Sequence, residues 1–363
     1  MNGRRQFLKS SLGAAAGLTL TSCGWRLANV KAPSPSSGSN NELYIYTWAG
    51  YTDEDLLKLF EERTGIRAVA DVFDSNESML ARIQASGGGS YSIIYPSDYM
   101  VRQMAEEEML TPLDKSKILG LENLFPNFQD PPYDRNNSYS LPLSWGTTGL
   151  LYNRSKLKEA PQDWNYLWEN KDLLRKKFTL LNDVREVMGA TLKMLGYSYN
   201  SINPQEIAAA YNQLQELKSS IASFSSDAWR TQILSGDLLV AMVYSSDAHE
   251  VMSENEDLAY VLPTSGSSLW TDSLVIPKTA PNPDGAYQWM NFMLEPEIAA
   301  RICETLSFAI PNKPGYELLP PELANDYSLY PPEPALTNSE GLEPLPDEIN
   351  DLYDRYWTRL TSS

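Results

Sequence analysis

The chain is poor in the residues that build metal centres, disulfide frameworks and hydrolytic triads. Its 363 residues include two cysteines, Cys23 and Cys303, and one histidine, His249. A single histidine excludes the His-rich sites that hold zinc or copper, and the sequence has no G-x-S-x-G nucleophile motif. If Cys23 is modified, as argued below, Cys303 has no partner for an internal disulfide. Its apolar helical surroundings predict that Cys303 is buried.

Basic residues are scarce as well. The chain holds 29 Lys and Arg against 47 Asp and Glu, a formal net charge of −18. Residues 1–22 contain three basic residues and no acid, so the rest of the chain carries 26 basic and 47 acidic residues, a net charge of −21. Such a surface repels nucleic acid and anionic lipid and attracts cations. Solubility alone is the simpler explanation of the charge.

The apolar run at residues 12–20 is too short to span a bilayer as a helix. It follows Arg4-Arg5-Gln6-Phe7-Leu8-Lys9, a twin-arginine leader, and ends at Leu20-Thr21-Ser22-Cys23. That ending resembles the lipobox of bacterial lipoproteins, in which the cysteine is acylated. We therefore expect a signal peptide at residues 1–22 exported by the twin-arginine route, lipidation of Cys23, and a membrane-anchored protein in the periplasm. The Pro- and Ser-rich residues 23–41 are expected to form a flexible tether.

The remaining residues alternate between strand and helix patterns, which predicts an α/β fold with parallel pairing. The length of this body suits two domains or lobes. The strands are predicted at residues 43–47, 66–73, 91–95, 178–182, 238–244 and 273–276. The helices are predicted to begin near Thr52, Glu77, Asp183, Asn203 and Pro346. The proline-rich residues 311–346 are expected to form turns and short helices on the surface.

Aromatic and acidic residues recur just beyond the ends of five predicted strands, where parallel α/β sheets bind ligands. These residues are Trp48, Tyr51, Ser97, Asp98, Tyr99, Asp183, Glu186, Asp247, Trp270 and Asp272. Carboxylates beside flat rings suit an ammonium group, through charge-assisted hydrogen bonds and cation–π contact.

Each of these residues also has a purely structural explanation. Asp183-x-x-Glu186 matches a helix capping box, and Asp98 and Asp247 suit turns after strands. Trp48 or Trp270 would suit a core, and Thr271-Asp272-Ser273 would suit a surface bend. The prediction of a binding site therefore rests on the repetition of one chemical bias at five separate places.

The sequence resembles the polyamine-binding proteins of the spermidine/putrescine type that serve ABC importers. The resemblance runs from about residue 43 to the C-terminus. The stretches that carry it are Tyr46-Thr47-Trp48-x-x-Tyr51, Phe73-Asp74-Ser75-Asn76-Glu77, Tyr95-Pro96-Ser97-x-Tyr99, Leu113-Asp114-Lys115-Ser116-Lys117, Asn182-Asp183-Val184-Arg185-Glu186-Val187, Leu195-Gly196-Tyr197-Ser198, Trp270-Thr271-Asp272-Ser273-Leu274 and Ile310-Pro311-Asn312.

The resemblance implies the two-lobed periplasmic-binding-protein fold of type II. In this fold each lobe is a mostly parallel sheet flanked by helices, and the ligand lies in the cleft between the lobes. We expect lobe 1 to comprise residues 42–146 and 271–316, and lobe 2 to comprise residues 147–270 and 317–363. The implied function is capture of putrescine or spermidine and delivery to the transmembrane permease subunits. The protein would be no enzyme, need no cofactor or metal, and act as a monomer.

The resemblance also implies roles for individual residues. Trp48, Tyr51, Tyr99 and Trp270 would line the slot with rings, and Ser97 would hydrogen-bond an amine. Asp183, Glu186 and Asp272 would pair with ammonium groups, and Asp247 stands where putrescine binders place an acid. Tyr244 replaces a usual tryptophan, Phe308 a common tyrosine, and Glu343 falls near a glutamine of spermidine binders. Gly50 stands where the family usually has an acid, which leaves the preferred polyamine open.

Two alternatives stay open from the sequence. One is a binding protein for another cationic or zwitterionic amine, or for ferric iron, although His249 lies outside the matched slot. The other is a carbohydrate hydrolase, because carboxylates beside tryptophans also suit sugar cleavage. The acids are scattered over several strand ends without a recognisable acid and nucleophile pair, which favours binding over hydrolysis.

Overall fold

Residues 41–87 and 89–362 are described by the computed structural model of the protein. The predicted signal peptide, the lipidation site at Cys23 and the predicted tether as far as residue 40 lie outside these residues. Within the described ranges, every helix falls short of the length or apolar character that a membrane span requires.

Strands and helices follow one another along the described chain. The strands are β1 Glu42–Trp48, β2 Arg67–Phe73, β3 Ile93–Ile94, β4 Ser140–Asn153, β5 Phe178–Thr179, β6 Val240–Tyr244, β7 Leu258–Val261 and β8 Leu269–Val275. The helices are α1 Glu54–Thr64, α2 Asn76–Ser86, α3 Asp98–Glu106, α4 Pro126–Gln129, α5 Tyr166–Glu169, α6 Val184–Met194, α7 Pro204–Leu217, α8 Trp229–Ser235, α9 Ser245–Glu254, α10 Pro283–Met293, α11 Pro296–Leu306, α12 Lys313–Leu318, α13 Pro321–Ala324, α14 Glu333–Leu336 and α15 Asp347–Thr361.

The strands form one mixed sheet in the order β2-β1-β3-β8-β4-β6-β5, with β7 paired to β4. The pairs β1–β2, β1–β3 and β5–β6 are parallel. The pairs that involve β4 or β8 are antiparallel. The predicted α/β class is confirmed. The sequence patterns predicted neither β4 nor β7, and β8 begins at Leu269 rather than at residue 273. Trp270 and Asp272 therefore lie inside a strand.

Helix ends follow the local chemistry of the sequence. Asp53 caps α1 by accepting a hydrogen bond from the backbone N–H of Leu56, and α1 ends at Gly65 in the left-handed conformation. The cap lies one residue beyond the predicted Thr52. Asn203 caps α7, whose first residue is Pro204, as predicted.

The buried apolar side chains of the described residues separate into two groups along the chain. One group draws on β1–β3, the first residues of β4, and α10–α11, and it includes the predicted buried Cys303. The other draws on the last residues of β4, β6, α6, α7 and α15. Four residues that the predicted boundaries assign to lobe 2 pack in the first group: Tyr199, Leu319, Leu329 and Leu342. Among the described strands, β4 contributes buried side chains to both groups.

Tyr199 packs in the first group and links it to α6 of the second group. It has no exposed surface, and its hydroxyl donates to the carboxylate of Glu186. Its ring lies against Gly189 of α6, where an added Cβ would come within 2.0 Å of the tyrosine Cε1. Glycine at this helix position therefore permits the close approach of the ring.

We expect Gly189→Ala to destabilise the protein by about 1–3 kcal/mol, because the methyl group overlaps a ring that has no free space. The steric cost would exceed the gain in helix propensity of about 1 kcal/mol that alanine brings when it replaces glycine in a helix interior. Denaturant unfolding would measure it. Gly89→Ala is the control, since no atom lies within 4 Å of its Cβ position. Equal stability of the two variants would contradict the packing argument.

Candidate functional site

Asp272 lies at the middle of β8 with 5% of its surface exposed. The Ser97 hydroxyl donates to its Oδ1 at 2.6 Å, and the Tyr51 hydroxyl donates to its Oδ2. Ser97 is placed by an antiparallel bridge to Asp272 itself, just before α3. The Phe308 ring lies 4.1 Å from the Tyr51 ring. Ser97 and Tyr51 therefore bind the Asp272 carboxylate directly, and Phe308 packs against Tyr51.

Asp183 forms a second contact group with Tyr244 and Trp270. Its carboxylate caps α6, and the Tyr244 hydroxyl donates to its Oδ2 at 3.2 Å. The Tyr244 ring meets the Trp270 ring edge-on, at 6.0 Å between centroids. Trp270 can lie here because Gly146 of β4 has no side chain, and a Cβ there would lie 2.3 Å from the indole.

Glu186 is buried and does not complete the capping box that the sequence suggested. Its carboxylate accepts hydrogen bonds from the hydroxyls of Tyr199 and Ser268, at 2.8–2.9 Å. Burial, together with the nearby charge of Asp183, raises the pKa of Glu186 to about 7. The acid therefore lies inside the protein, one helical turn from Asp183.

Asp247 and Tyr99 are each bound to a residue that the sequence analysis did not assign to the site. Asp247 forms an ion pair with Arg230 of α8 at 2.7 Å, and burial raises its pKa to about 6. The Tyr99 hydroxyl donates to Glu77 at 2.8 Å. Within residues 41–87 and 89–362, Asp247 is thus the one predicted acidic residue of the site that has a cationic partner.

Trp48 and Glu343 lie at the margins of these groups. Trp48 is half-buried, and its ring packs on Phe73 with centroids 4.4 Å apart. Glu343 is exposed, and its backbone carbonyl, not its carboxylate, accepts a hydrogen bond from Arg185. Gly50 is exposed with φ at +79°, so a larger residue there would be strained.

Asp98 is an acidic residue of this region that the resemblance did not assign. It is the first residue of α3, 3% exposed, and burial raises its pKa well above the usual range. Asp272 and Glu186 lie close enough for their charges to raise that pKa further. In the sequence, the one indication of a binding role for Asp98 is its position beside Ser97, just after a predicted strand.

The carboxylates of the region influence one another electrostatically. The charges of Asp272 and Glu186 raise the pKa of Asp98, and the charge of Asp183 raises the pKa of Glu186. The charges of Asp272 and Asp247 likewise raise the pKa of the Tyr51 hydroxyl. Arg185 is the cation that acts on Asp98, yet it donates to Asn200 and to a backbone carbonyl.

Among the described residues, none of Asp98, Asp183, Glu186 and Asp272 forms an ion pair within 4 Å. Buried carboxylates without cations are costly, so proteins usually pair them. Rings of Tyr51, Tyr99, Tyr244 and Trp270 surround them. The arrangement suits a ligand that brings positive charge and an apolar chain.

A family model matches residues 55–330 of the chain, and it describes bacterial extracellular solute-binding proteins. Among individual relatives, the spermidine/putrescine-binding periplasmic protein of Escherichia coli is 35% identical over 322 residues, which cover 88% of this chain and 92% of that protein.

Solved structures agree with these matches. The spermidine/putrescine ABC transporter substrate-binding protein PotD of Streptococcus pneumoniae is 38% identical with a TM-score of 0.78, covering 88% of this chain and 98% of the other. The TpPotD lipoprotein of Treponema pallidum is 27% identical with a TM-score of 0.80, covering 89% and 100%. These matches confirm the predicted periplasmic-binding-protein fold.

The raised pKa of Asp272 makes a prediction about stability and pH. Burial raises its pKa from 3.8 in a free chain to about 6, so the folded protein disfavours the ionised form. The stability that protonation provides is complete below about pH 4 and is lost as the pH rises through 6. Without ligand, Asp272→Asn should match the natural protein near pH 4 and exceed its stability at pH 8 by about 2–3 kcal/mol.

Denaturant unfolding at the two pH values measures this difference. Asp257→Asn, which removes an exposed charge, controls for the net charge of the protein. A constant difference between Asp272→Asn and the natural protein at both pH values would contradict the buried-charge argument.

Proposed function

The chain belongs to the bacterial extracellular solute-binding proteins, and from this premise we propose that it captures polyamines for an ABC importer. The observation that carries the proposal is the group of carboxylates without cationic partners, surrounded by aromatic rings. Protonated amines joined by methylene groups match both features. The named functions of the E. coli and S. pneumoniae relatives support the same ligand class.

The hydroxyls around Asp272 leave its carboxylate able to bind a cation. A carboxylate has about four acceptor positions, and Ser97 and Tyr51 use two of them. These bonds fix the orientation of the carboxylate without neutralising it. An ammonium group can take the remaining positions, and the neighbouring rings cover its carbon chain.

The energies of such contacts suffice for capture from dilute solution. Each hydrogen bond to a charged group contributes about 1.5–3 kcal/mol, and each cation–π contact contributes about 0.5–2 kcal/mol. Each methylene group buried against a ring adds about 0.8 kcal/mol. Two or three charged contacts with ring packing therefore reach the roughly −8 kcal/mol of a micromolar complex after the costs of association.

Binding would involve closure of two lobes, comprising residues 42–146 with 271–316 and residues 147–270 with 317–363. The two hydrophobic groups support this division, except for Tyr199, Leu319, Leu329 and Leu342. Closure excludes water and strengthens each ammonium–carboxylate contact. The closed monomer would then bind the transmembrane permease subunits with both lobes.

The protein is a binding protein rather than an enzyme, in agreement with the relatives it matches. A carbohydrate hydrolase needs one carboxyl group to protonate the leaving oxygen and a second to act as base or nucleophile. Here Asp272 is held by two hydroxyls and Glu186 by two others, as suits fixed binding groups.

Membrane attachment through Cys23 completes the proposal. The support lies in the order of the twin-arginine leader, the short apolar run and the lipobox. The T. pallidum relative is itself named a lipoprotein. Residues 23–41 would give the binding domain its reach from the membrane surface.

Calorimetry of the purified protein with spermidine, putrescine, glutamate and maltose tests the ligand class. We expect micromolar or tighter binding of at least one polyamine and none of the acid or the sugar. Asp272→Ala should weaken polyamine binding by about 3–5 kcal/mol, because one ammonium would remain buried without a partner. Asp257→Asn, at an exposed position, is the control, and a loss below tenfold in Asp272→Ala would contradict the role of Asp272.

Fractionation of cells that produce the full chain tests the anchor. The natural protein should sediment with membranes and be released by detergent, whereas Cys23→Ala should appear in the soluble fraction. Cys303→Ala removes the other cysteine and serves as the control. Membrane association of Cys23→Ala equal to that of the control would refute lipidation at this residue.

A further inference from the structure

Asp98 lies between the acids of the proposed polyamine site. The residue before it, Ser97, donates to Asp272, and the residue after it, Tyr99, has Arg185 stacked on its ring at 5.5 Å. A Cβ on Gly341 would be 3.6 Å from the Asp98 Oδ2, so Gly341 lies against this oxygen. The carboxylate is therefore buried next to residues that bind Asp272 and Arg185.

One oxygen of this carboxylate has no hydrogen-bond partner among the described residues. Oδ1 accepts from the backbone N–H of Tyr99 at 2.8 Å, whereas no donor from residues 41–87 or 89–362 reaches Oδ2. The side chain is 3% exposed, so this oxygen has little contact with water. A largely buried carboxylate oxygen without a protein donor is unusual, because its desolvation is only partly compensated.

The charges of the site do not balance without a ligand. Asp98, Asp183, Glu186 and Asp272 provide four carboxylates, and Arg185 is the cation among them. Asp247 is paired with Arg230, which also pairs with Asp227 and Glu250. Of the two acids in residues 340–343, Glu340 pairs with Lys193, and Glu343 is exposed to solvent. When all four carboxylates are ionised, the site lacks three positive charges.

We propose that Asp98 binds an ammonium group of the ligand through its free oxygen and makes the site selective for linear amines with three protonated nitrogens. The inference rests on the proposed polyamine function and adds the residue that decides between a triamine and a diamine. Asp272 and the pair Asp183–Glu186 provide for two ammonium groups. Asp98 provides for the third, which a diamine lacks.

Asp98→Asn tests this role, because the amide keeps the shape of the side chain and the acceptor for Tyr99. Calorimetry with spermidine and putrescine at pH 8 measures the effect. We expect spermidine affinity to fall by about 10- to 100-fold, as for loss of a hydrogen bond to a charged group. Putrescine affinity should change by less than about threefold, so the preference for the triamine should largely disappear.

Glu106→Gln is the matched control, since it removes the same charge from an exposed position on α3. Asp98→Ser is a second variant that removes the carboxylate if the asparagine variant does not fold. Thermal unfolding without ligand is measured in parallel. The stability of Asp98→Asn should equal or exceed that of the natural protein, because an unpaired charge is removed.

Three results would overturn the inference: unchanged spermidine affinity in Asp98→Asn, equal losses for both amines, or a loss matched by Glu106→Gln. Each would leave the proposed function intact, because the natural protein would still bind polyamines. Failure of the natural protein to bind either amine would instead refute the proposed function itself.

Discussion

The arrangement of the site depends on the cost of holding carboxylates away from water without cations beside them. Asp98, Glu186 and Asp272 are each at least 95% buried, and their pKa values are raised chiefly by that burial. Hydroxyl groups stabilise Glu186 and Asp272 by hydrogen bonding, but they bring no charge. The protein thus fixes the orientation of these carboxylates without placing a positive charge beside them. A protonated amine can supply that charge, whereas a neutral sugar cannot.

Two central strands hold these acids in place. β4 and β8 pair antiparallel along most of their length, so Asp272 has Ser144 as its register partner and Trp270 has Gly146. Ser144 donates in turn to the Tyr51 hydroxyl at 3.3 Å, which links β4 to the carboxylate of β8. The backbone ladder therefore sets the spacing of the rings and acids, and side-chain hydrogen bonds set their direction. Such a site is preorganised, which reduces the entropy lost on binding.

Local patterns in the sequence predicted those elements whose signals are local. Asp183 and Asn203 cap helices where expected, and β1 and β2 lie within a few residues of the predicted strands. β4 was missed because Pro142, Gly146 and Gly149 interrupt its apolar pattern, and its partners lie far along the chain. The glycines admit the Trp270 and Tyr260 rings, which is a tertiary requirement. The pairing of Asp247 with Arg230 and the burial of Asp98 also depend on contacts between separate elements.

The distribution of partners among the acids separates structural from binding roles. Asp247 forms an ion pair with Arg230, so a cationic ligand would have to compete with a guanidinium for it. Asp183 combines both roles, since one oxygen caps α6 and the other accepts from Tyr244. Asp98 contributes little to holding the fold together, because its carboxylate accepts a hydrogen bond from the adjacent residue, Tyr99, and from no other described residue. A carboxylate that is buried, weakly used by the fold and close to other acids reduces stability unless a ligand compensates for it, so binding accounts better for its position than folding does.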